Sequence, residues 1–598
     1  MPIQTDRFPI LLSDFGGLKT DRNSDDLPIG KSPNLLNVRI RGSHFIGALG
    51  YELVGERNSA TGEISSQYTY NRNDGDKVMV RVKDDGTNGT LEWYDETNKK
   101  WYTLLGSLTT GKIMGFAEFN SSTLNRMIFC NGVENISLWT GAITRLTAAV
   151  ALHATSIPVA STTDFPATGT IIYNGTEIAY TSKTATAFAV ADAHASAGAD
   201  DGVAEAADDS TNSGVDKGNI LLSAFDRLWI AGQPGSPTEL VYSDEGAPFT
   251  FTGGSNRTDS GSEDILNIGG KITGLSSKDD NIVVLGRDGG VGLKFVYPTS
   301  TTKAPVYTNL FFAPGQGCLS HQSIVNLNNE VYFANRDGFV AISDLIGTEK
   351  TFLKTVTEDI LPTLHNYVFD EAAAIYDPHE DILLLACKSD SDFPGNDIVI
   401  ALDFYRTKEG LRTFGITKLD WPVNCFNKLN DDIYFGSSLE MNSFKGFSTY
   451  QNDGSPRTIK YVTRRINGGN PFQEKGSQLV AVKGFIKDGS EIDVEILYEG
   501  GFKGTVNKTI LSDGDYVSKV TLNSLGAFAL GTNPMGENIE EVSDLKQFRV
   551  YLDVGVDYRW SDIQISFTSE TDGGNFSVDH VGIAAKEEGV AAPSNLIL

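Results

Sequence analysis

The apolar positions of this chain come in short paired runs rather than in helical stripes. A polar turn gives way to four or five apolar or β-branched residues, a Gly/Asn/Asp turn follows, and a second apolar run returns. The unit recurs seven times, with first apolar residues Val78, Met127, Leu228, Ile282, Val331, Ile382 and Ile433, separated by 49, 101, 54, 49, 51 and 51 residues. Return runs include Leu91-Glu92-Trp93-Tyr94, Ile136-Ser137-Leu138-Trp139 and Ile398-Val399-Ile400-Ala401-Leu402. Runs this short, rich in Val, Ile, Tyr, Phe and Trp and bounded by turn formers, are strands. A single small sheet cannot bury both faces, whereas sheets stacked radially can, so a period near fifty in an all-β chain predicts propeller blades. The expected fold is all-β: a six- or seven-bladed β-propeller with a small inserted β domain and a C-terminal β-sandwich.

The rest of the chain divides around that repeat. Residues 1–60 are turn-rich, with paired glycines and two X-Pro steps, and predict an extended N-terminal arm packed on the ring or on a neighbouring subunit. The first blades are expected over 61–145 and the remaining ones over 216–450. The long 101-residue step predicts a small β domain over 146–215, centred on the hairpin signal Tyr173-Asn174-Gly175-Thr176. Its rival reading is an extra blade near Ile171. The Ala/Asp/Ser/Gly-rich tail from Ala189 to Gly214 predicts a flexible return linker. Beyond 450 the repeat stops, and alternating runs such as Ile492-Asp493-Val494-Glu495-Ile496 predict a half-buried antiparallel sandwich over 451–598.

Charge changes the picture more than the rest of the composition. Forty-nine basic against 77 acidic side chains leave a net charge of −28. That balance argues against a surface built to grip duplex DNA, which needs clustered Lys and Arg. It is compatible with DNA sliding past a non-adhesive wall, though composition alone favours simple colloidal solubility. The N-terminus lacks the basic and apolar regions of a secretory signal, and no apolar run is long enough to span a membrane. Cys130, Cys318, Cys387 and Cys425 share no metal or redox spacing and are expected as reduced core thiols.

Candidate chemistry is sparse. The sequence holds no nucleophile elbow, phosphate loop or zinc motif, and its seven histidines lie at least ten residues apart. Ser243-Asp244-Glu245-Gly246-Ala247-Pro248-Phe249 is similar to the Asp-box turn of sialidase propellers, with the acid one place early and Phe for Trp. Glycoside hydrolysis needs two carboxyl groups facing each other across the scissile bond, and spacing alone does not supply them. Asp390-Ser391-Asp392-Phe393-Pro394-Gly395-Asn396-Asp397 is oxygen-rich enough for Ca²⁺ but lacks the EF-hand spacing, so it is read as a solvated loop. No catalytic, cofactor-binding or metal-binding residue is assigned.

The N-terminal segment carries a family resemblance. Phe15-Gly16-Gly17-Leu18, then Leu27-Pro28-Ile29-Gly30-Lys31-Ser32-Pro33, Leu35-Leu36-Asn37-Val38 and Gly50-Tyr51 resemble the opening of propeller-bearing tail nozzle (head-stabilisation, tubular tail) proteins of double-stranded DNA bacteriophages. Phe225-Asp226-Arg227-Leu228-Trp229-Ile230-Ala231-Gly232 with Val241-Tyr242-Ser243 is similar to one blade of that family. Gly317-Cys318-Leu319-Ser320-His321-Gln322-Ser323 with Tyr332-Phe333-Ala334-Asn335-Arg336-Asp337-Gly338 is similar to another. The stretch from Leu146 to Ile171 is similar to a small β module spliced into many phage tail and fibre proteins. The resemblance implies a virion tail protein without catalysis or cofactor, assembled in the host cytoplasm. Its implied partners are five further copies in a homohexameric ring, other tail proteins (adaptor, fibres, needle or plug) and duplex DNA in transient, non-specific passage during ejection. The alternative is a fibre or host-receptor-binding, lectin-like tail protein. A propeller depolymerase is the third reading.

Overall fold

The computed structural model describes residues 7–590 except 73, 121–124, 209–216, 252, 257, 267, 280, 297–305, 313–316, 328–329, 343–352, 407–411, 470–472, 502–503, 515–516, 519–544, 554–558 and 571–572. Seven small antiparallel sheets, over 63–108, 115–139, 220–264, 272–312, 325–355, 368–419 and 423–446, form blades 1 to 7. The first strand of each blade lies against the first strands of the two neighbouring blades, and that of blade 7 meets that of blade 1. The chain is therefore a closed seven-bladed propeller, the upper of the two blade numbers the repeat allowed.

Every copy of the sequence repeat is the second strand of one blade. Its lead residue is buried in all seven, from Val78 in blade 1 to Ile433 in blade 7. The polar turn ahead of it has a backbone reason. Asp226, Asp381 and Asn430 sit at positive φ (55°, 49° and 57°) in the hairpins that join first strand to second. Asp and Asn tolerate that left-handed region better than most residues.

Among the described residues blade 2 has three strands; the insert departs after the third, and the returning chain bridges that strand through Asp208 and Leu138. The Asn174-Gly175 turn, with φ of 46° and 71°, joins Gly169–Tyr173 to Thr176–Thr184 as the sequence predicts. This hairpin belongs to a separate six-stranded sheet over 143–205, so it is not an extra blade. The expected flexible linker is corrected over 189–208. Gly202–Glu205 pairs with both Ile143–Arg145 and Gly169–Tyr173, and Ala193, Val203 and Ala204 are buried. Small side chains there build core by letting strands approach, which a count of large apolar residues does not register. The remaining linker, 209–214, lies outside the described residues.

The segment expected as an extended arm is woven into two bodies. Arg7–Leu12, Val38–Arg41 and His44–Gly47 join one sheet of the C-terminal sandwich, and Asn34–Leu36 joins the other. The next strand, Tyr51–Val54, pairs antiparallel with Ser443–Gly446 as the outermost strand of blade 7 and so closes the ring. The sandwich's own strands keep the predicted alternation: along Glu491–Tyr498 the side chains of Ile492, Val494, Ile496 and Tyr498 are buried. Its core runs without a break into the flanks of blades 5 and 6 through Phe339, Leu364, Leu385, Leu402 and Ile416.

Among the described residues no helix is long and apolar enough to cross a membrane. All four cysteines are free and buried, and burial pushes the thiols of Cys318 and Cys425 up to about 12.

Candidate functional site

Two places hold concentrated chemistry: the knot where the N-terminal segment meets ring and sandwich, and the cavity on the propeller axis.

In the knot, several of the residues that carry the family resemblance have an architectural task. Leu18 N–H donates to the Ile416 carbonyl at 2.7 Å, and a side chain at Gly17 would overlap the Ile416 backbone. Ser32 Oγ donates to the Val462 carbonyl at 2.7 Å. Gly30, at φ 88°, presents its carbonyl to the Tyr461 hydroxyl at 2.6 Å. Asn37, at φ 53°, donates backbone N–H to Lys418 O and side-chain Nδ2 to Thr458 O. Phe45 stacks on Tyr461 at 4.2 Å, and Phe15 meets both rings edge-on. Tyr51 packs against Trp421, Phe435 and Phe444 inside blade 7.

A buried ion cluster locks the knot to blade 6. Arg39 donates Nε and Nη2 to the two Asp403 oxygens at 3.1 and 2.9 Å, and Nη1 to Glu380 at 2.5 Å. Arg41 reaches the same Glu380 oxygen at 2.6 Å. Asp403 is fully buried and also accepts the Ile40 N–H. Burial works against the Glu380 carboxylate, yet the two guanidiniums outweigh it and hold its pKa down at about 2. Burial opposes charge on Arg39 as well, and the carboxylates reverse that, so its pKa is raised.

The axial cavity has a volume of about 730 Å³ and takes lining residues from all seven blades, among them Tyr68, Phe116, Leu222, Leu275, Asn326, Ala374 and Phe426. It is amide-rich rather than acidic. Asp370 is the sole carboxylate among the described lining residues, and Arg287 pairs with it at 2.6 Å. Gln233 follows Gly232 (φ 75°) at the end of a blade 3 strand; it is only 3 % exposed, and neither Nε2 nor Oε1 has a protein partner. Gln67 of blade 1, 6 % exposed, leaves its Oε1 unpaired in the same lining. His321 accepts the Leu275 N–H at 3.4 Å, and desolvation lowers its pKa to about 4, so it is neutral at pH 7.

The other stretches singled out in the sequence are used by the fold. In the Asp-box-like turn, Ser243 Oγ accepts the Leu228 N–H, and Asp244 Oδ1 accepts the Ser260 N–H. The buried Arg227 donates to the Ser243 and Asp259 carbonyls. In the acidic loop, Asp397 accepts both the backbone and the hydroxyl of Ser389, while Asp390 accepts the Asp392 N–H. Among the described residues no group of three His, Cys, Asp or Glu side chains is arranged to hold a metal ion. Trp93, Trp139 and Trp229 are buried inside blade cores. In the Gly317-to-Ser323 motif, Ser323 Oγ donates to Ser320 O and accepts the Ala334 N–H, which fixes the link from blade 4 to blade 5. Gln233 and Gln67 escaped the sequence reading because a lone glutamine beside a turn or within a strand carries no motif.

No protein-family model and no curated protein matches the sequence. Among solved structures, the chain is similar to an exo-β-1,3-galactanase from Phanerochaete chrysosporium in complex with galactose. The identity is 9 % and the TM-score 0.23, over 91 % of this chain and 100 % of that one. It is also similar to an α-L-arabinanase from Penicillium chrysogenum complexed with arabinobiose, at 9 % identity and TM-score 0.26, over 67 % of this chain and 97 % of that one. Superpositions this loose align no side chains. The propeller stands on its own strand pairing and its closed ring of inner strands.

Proposed function

We propose that this chain is a structural protein of a double-stranded DNA bacteriophage virion, a tail nozzle or tail-tip component that works by self-association and not by turnover. The observation that carries the reading is the knot. The residues similar to the tail family are the ones that tie chain start, ring and sandwich into one body, through Leu18, Ser32, Asn37 and Tyr51. A part that must hold its shape while DNA moves past it needs such a lock and needs no reactive group.

The axial cavity supports the same reading by its size and its chemistry. A volume of about 730 Å³ suits a small ligand and excludes a duplex, so a DNA channel would have to lie between copies, in a homohexameric ring. Among the described lining residues two-carboxylate hydrolysis finds one carboxylate, already paired with an arginine. A net charge of −28 would keep a channel wall from gripping the phosphate backbone. Negative-stain class averages of the purified protein, with immunogold labelling of virions, test the reading. Six-fold rings with an axial hole and label at the distal tail are expected. Monomers in the averages together with unlabelled virions would overturn it.

A further inference from the structure

The outer face of the C-terminal sandwich carries apolar side chains that the fold does not bury. In the sheet that contains Arg7–Leu12, Phe576–Val590, Gln473–Lys487 and Leu545–Asp553, successive residues point to opposite faces. Leu12, Val480, Val482, Val550 and Ile583 face the core. Their neighbours face out, in two rows aligned by the strand register. One row is Leu11, Gly582, Ala481 and Tyr551; the next is Pro9, Ala584, Leu479 and Asp553. Leu11 and Tyr551 are 60 % and 58 % exposed, and a side chain at Gly582 would meet only Ala481, at 3.8 Å. Neighbouring strands lie about 4.8 Å apart, so Leu11 and Tyr551 stand about 14 Å apart as walls of a trough with a Gly/Ala floor. Exposed apolar surface of this kind marks a contact. At its rim Arg549 lies over the Tyr551 ring at 5.5 Å and, among the described residues, has no carboxylate at ion-pair distance. Lys483 stands opposite it, with Asp579 offsetting part of that charge, so Arg549 is the principal cation of the rim.

The complementary shape is on the same chain. In the acidic loop of blade 6, Phe393 is 45 % exposed and is flanked by the exposed Asp390 and Asp392, neither of which has a cation at ion-pair distance among the described residues. Leu439, in the neighbouring hairpin of blade 7, is 51 % exposed. The loop is braced against that hairpin: Ser438 Oγ donates to the Asn396 carbonyl at 2.5 Å, and a side chain at Gly395 would overlap Ser438. Ile382–Lys388 runs from the knot's Glu380 at one end to this loop at the other. Trough and loop are both exposed in the single chain, so neither covers the other within one copy.

We propose that the sandwich trough of one copy receives the blade 6 loop of a second copy, with Phe393 seated between Leu11 and Tyr551 and Asp392 facing Arg549. The fit is one of shape and charge. A protruding aromatic fills a floor of glycine and alanine, whereas trough against trough brings wall to wall and leaves Phe393 in water. Tyr and Arg are also the residues that most often anchor a protein contact. Two different surfaces meet, so the contact is heterologous: each copy keeps one surface for the next, and repetition closes into a ring or runs on as a filament. The contact rests on the self-association proposed above and names the surfaces that would carry it.

The test is sedimentation velocity with light scattering on the full chain over a concentration series. Wild-type chain is expected to form species larger than a dimer. Tyr551→Asp and Phe393→Asp, both at exposed positions, are each expected to weaken assembly by about tenfold or more at an unchanged melting temperature. Mixed together, the two variants are expected to form a 1:1 heterodimer that grows no further, since one brings an intact loop and the other an intact trough. Asp392→Lys is expected to weaken assembly, and Arg549→Asp added to the same chain to restore it. Assembly untouched by Phe393→Asp but lost in Tyr551→Asp would mean a two-fold contact of trough on trough and would overturn the proposal. So would a mixture that stays monomeric. Unchanged mass in Tyr551→Asp with new protease cleavage within 519–544 would assign the trough to that segment of the chain instead. Rings that persist in both variants sink the contact and leave the tail reading standing. A wild-type monomer at every concentration also sinks it, and virion labelling then decides the tail reading separately.

Discussion

The ring and the sandwich are both antiparallel β-structure, yet they are assembled in opposite ways. Each blade is made of strands that follow one another within about fifty residues, and only blade 7 borrows a distant strand. The sandwich is made of both chain ends: Arg7–Leu12 pairs with Phe576–Val590, and Asn34–Leu36 pairs with Ile459–Val462. A ring of local units can form blade by blade, whereas the sandwich must wait for the whole chain and bears the loop-closure entropy of joining its ends. The borrowed strand Tyr51–Val54 couples the two, because it sits only four residues beyond the last sandwich strand of the N-terminal segment. The lesson is that the seam of the propeller and the assembly of the sandwich are one event.

The harshest way to break that coupling is to remove residues 1–54. Both sandwich sheets then lose strands and blade 7 loses its outer one, so the truncated chain is expected to elute as aggregate or to melt without cooperativity. Size-exclusion chromatography and near-UV circular dichroism read this directly. A soluble truncation with native near-UV signal would show that the ring closes alone. A milder break is Arg39→Met, which leaves Asp403 buried without its partner. A loss of about 3–5 kcal/mol in the first denaturant transition is expected, as for other orphaned buried charges. Adding Asp403→Asn should restore a large part of it, since the uncompensated charge is then gone. If the double variant is as weak as the single one, packing and not charge holds the knot.

The same division explains what the sequence made legible. The second strand of each blade is a run of consecutive buried residues, such as Ile282-Val283-Val284-Leu285, headed by a polar turn, and that pair of signals survives in one dimension. The insert hairpin was equally visible because Asn174-Gly175 fixes its turn type. The N-terminal strands were not visible, since Asn34–Leu36 and His44–Gly47 are three and four residues long; the first pairs with a strand beyond residue 450, and the second joins a short hairpin with Val38–Arg41 whose other edge pairs beyond residue 450. The return of the insert was misread because Val203 and Ala204 are small and pair with strands dozens of residues away. At the candidate site, sequence reading found the turns and missed Gln233, whose significance lies only in having no partner.

Acid separates the two regions by their titrating groups. His321, between blades 4 and 5, is depressed to about 4 from 6.5. The unfolded chain binds that proton first, so the imidazole's contribution is complete above pH 6.5 and drains away as pH falls toward 4. Glu380, in the knot, is depressed to about 2 from 4.5. Its contribution is complete above pH 4.5 and is lost as pH falls toward 2. Each is worth up to about 3 kcal/mol. Hydrogen exchange followed against pH should therefore show blades 4 and 5 loosening in the upper window and the N-terminal strands in the lower one. His321→Gln is expected to flatten only the first slope, and Glu380→Gln only the second. A single shared transition in both variants would mean that ring and knot open together.

The smallest effect is expected from the element that interrupts the ring. The insert has its own core of Ile157, Ile171, Tyr173 and Phe188, and the chain leaves for it after the third strand of blade 2. It is tied to blades 1 and 2 by side chains: Trp139 Nε1 donates to the Glu205 carbonyl at 2.9 Å, Asn98 Nδ2 donates to the Asp200 carbonyl at 2.8 Å, Arg145 pairs with Asp95 at 2.8 Å and Arg72 with Asp164 at 3.0 Å, and Ile172, Gly202 and Ala204 pack on the core around Trp93. Excising 143–205 with a short Gly-Ser bridge removes these hydrogen bonds and both ion pairs and uncovers the flank of blade 1 that Ile172 and Ala204 cover. No blade strand takes a ladder partner from 143–205, so the ring's own strand pairing is left intact. Calorimetry should show the main transition little shifted and the insert's own contribution missing. A collapse of the main transition would place the insert inside the ring's cooperative unit, and the contrast between locally built blades and a chain-end sandwich would then have to include a third, equally non-local body.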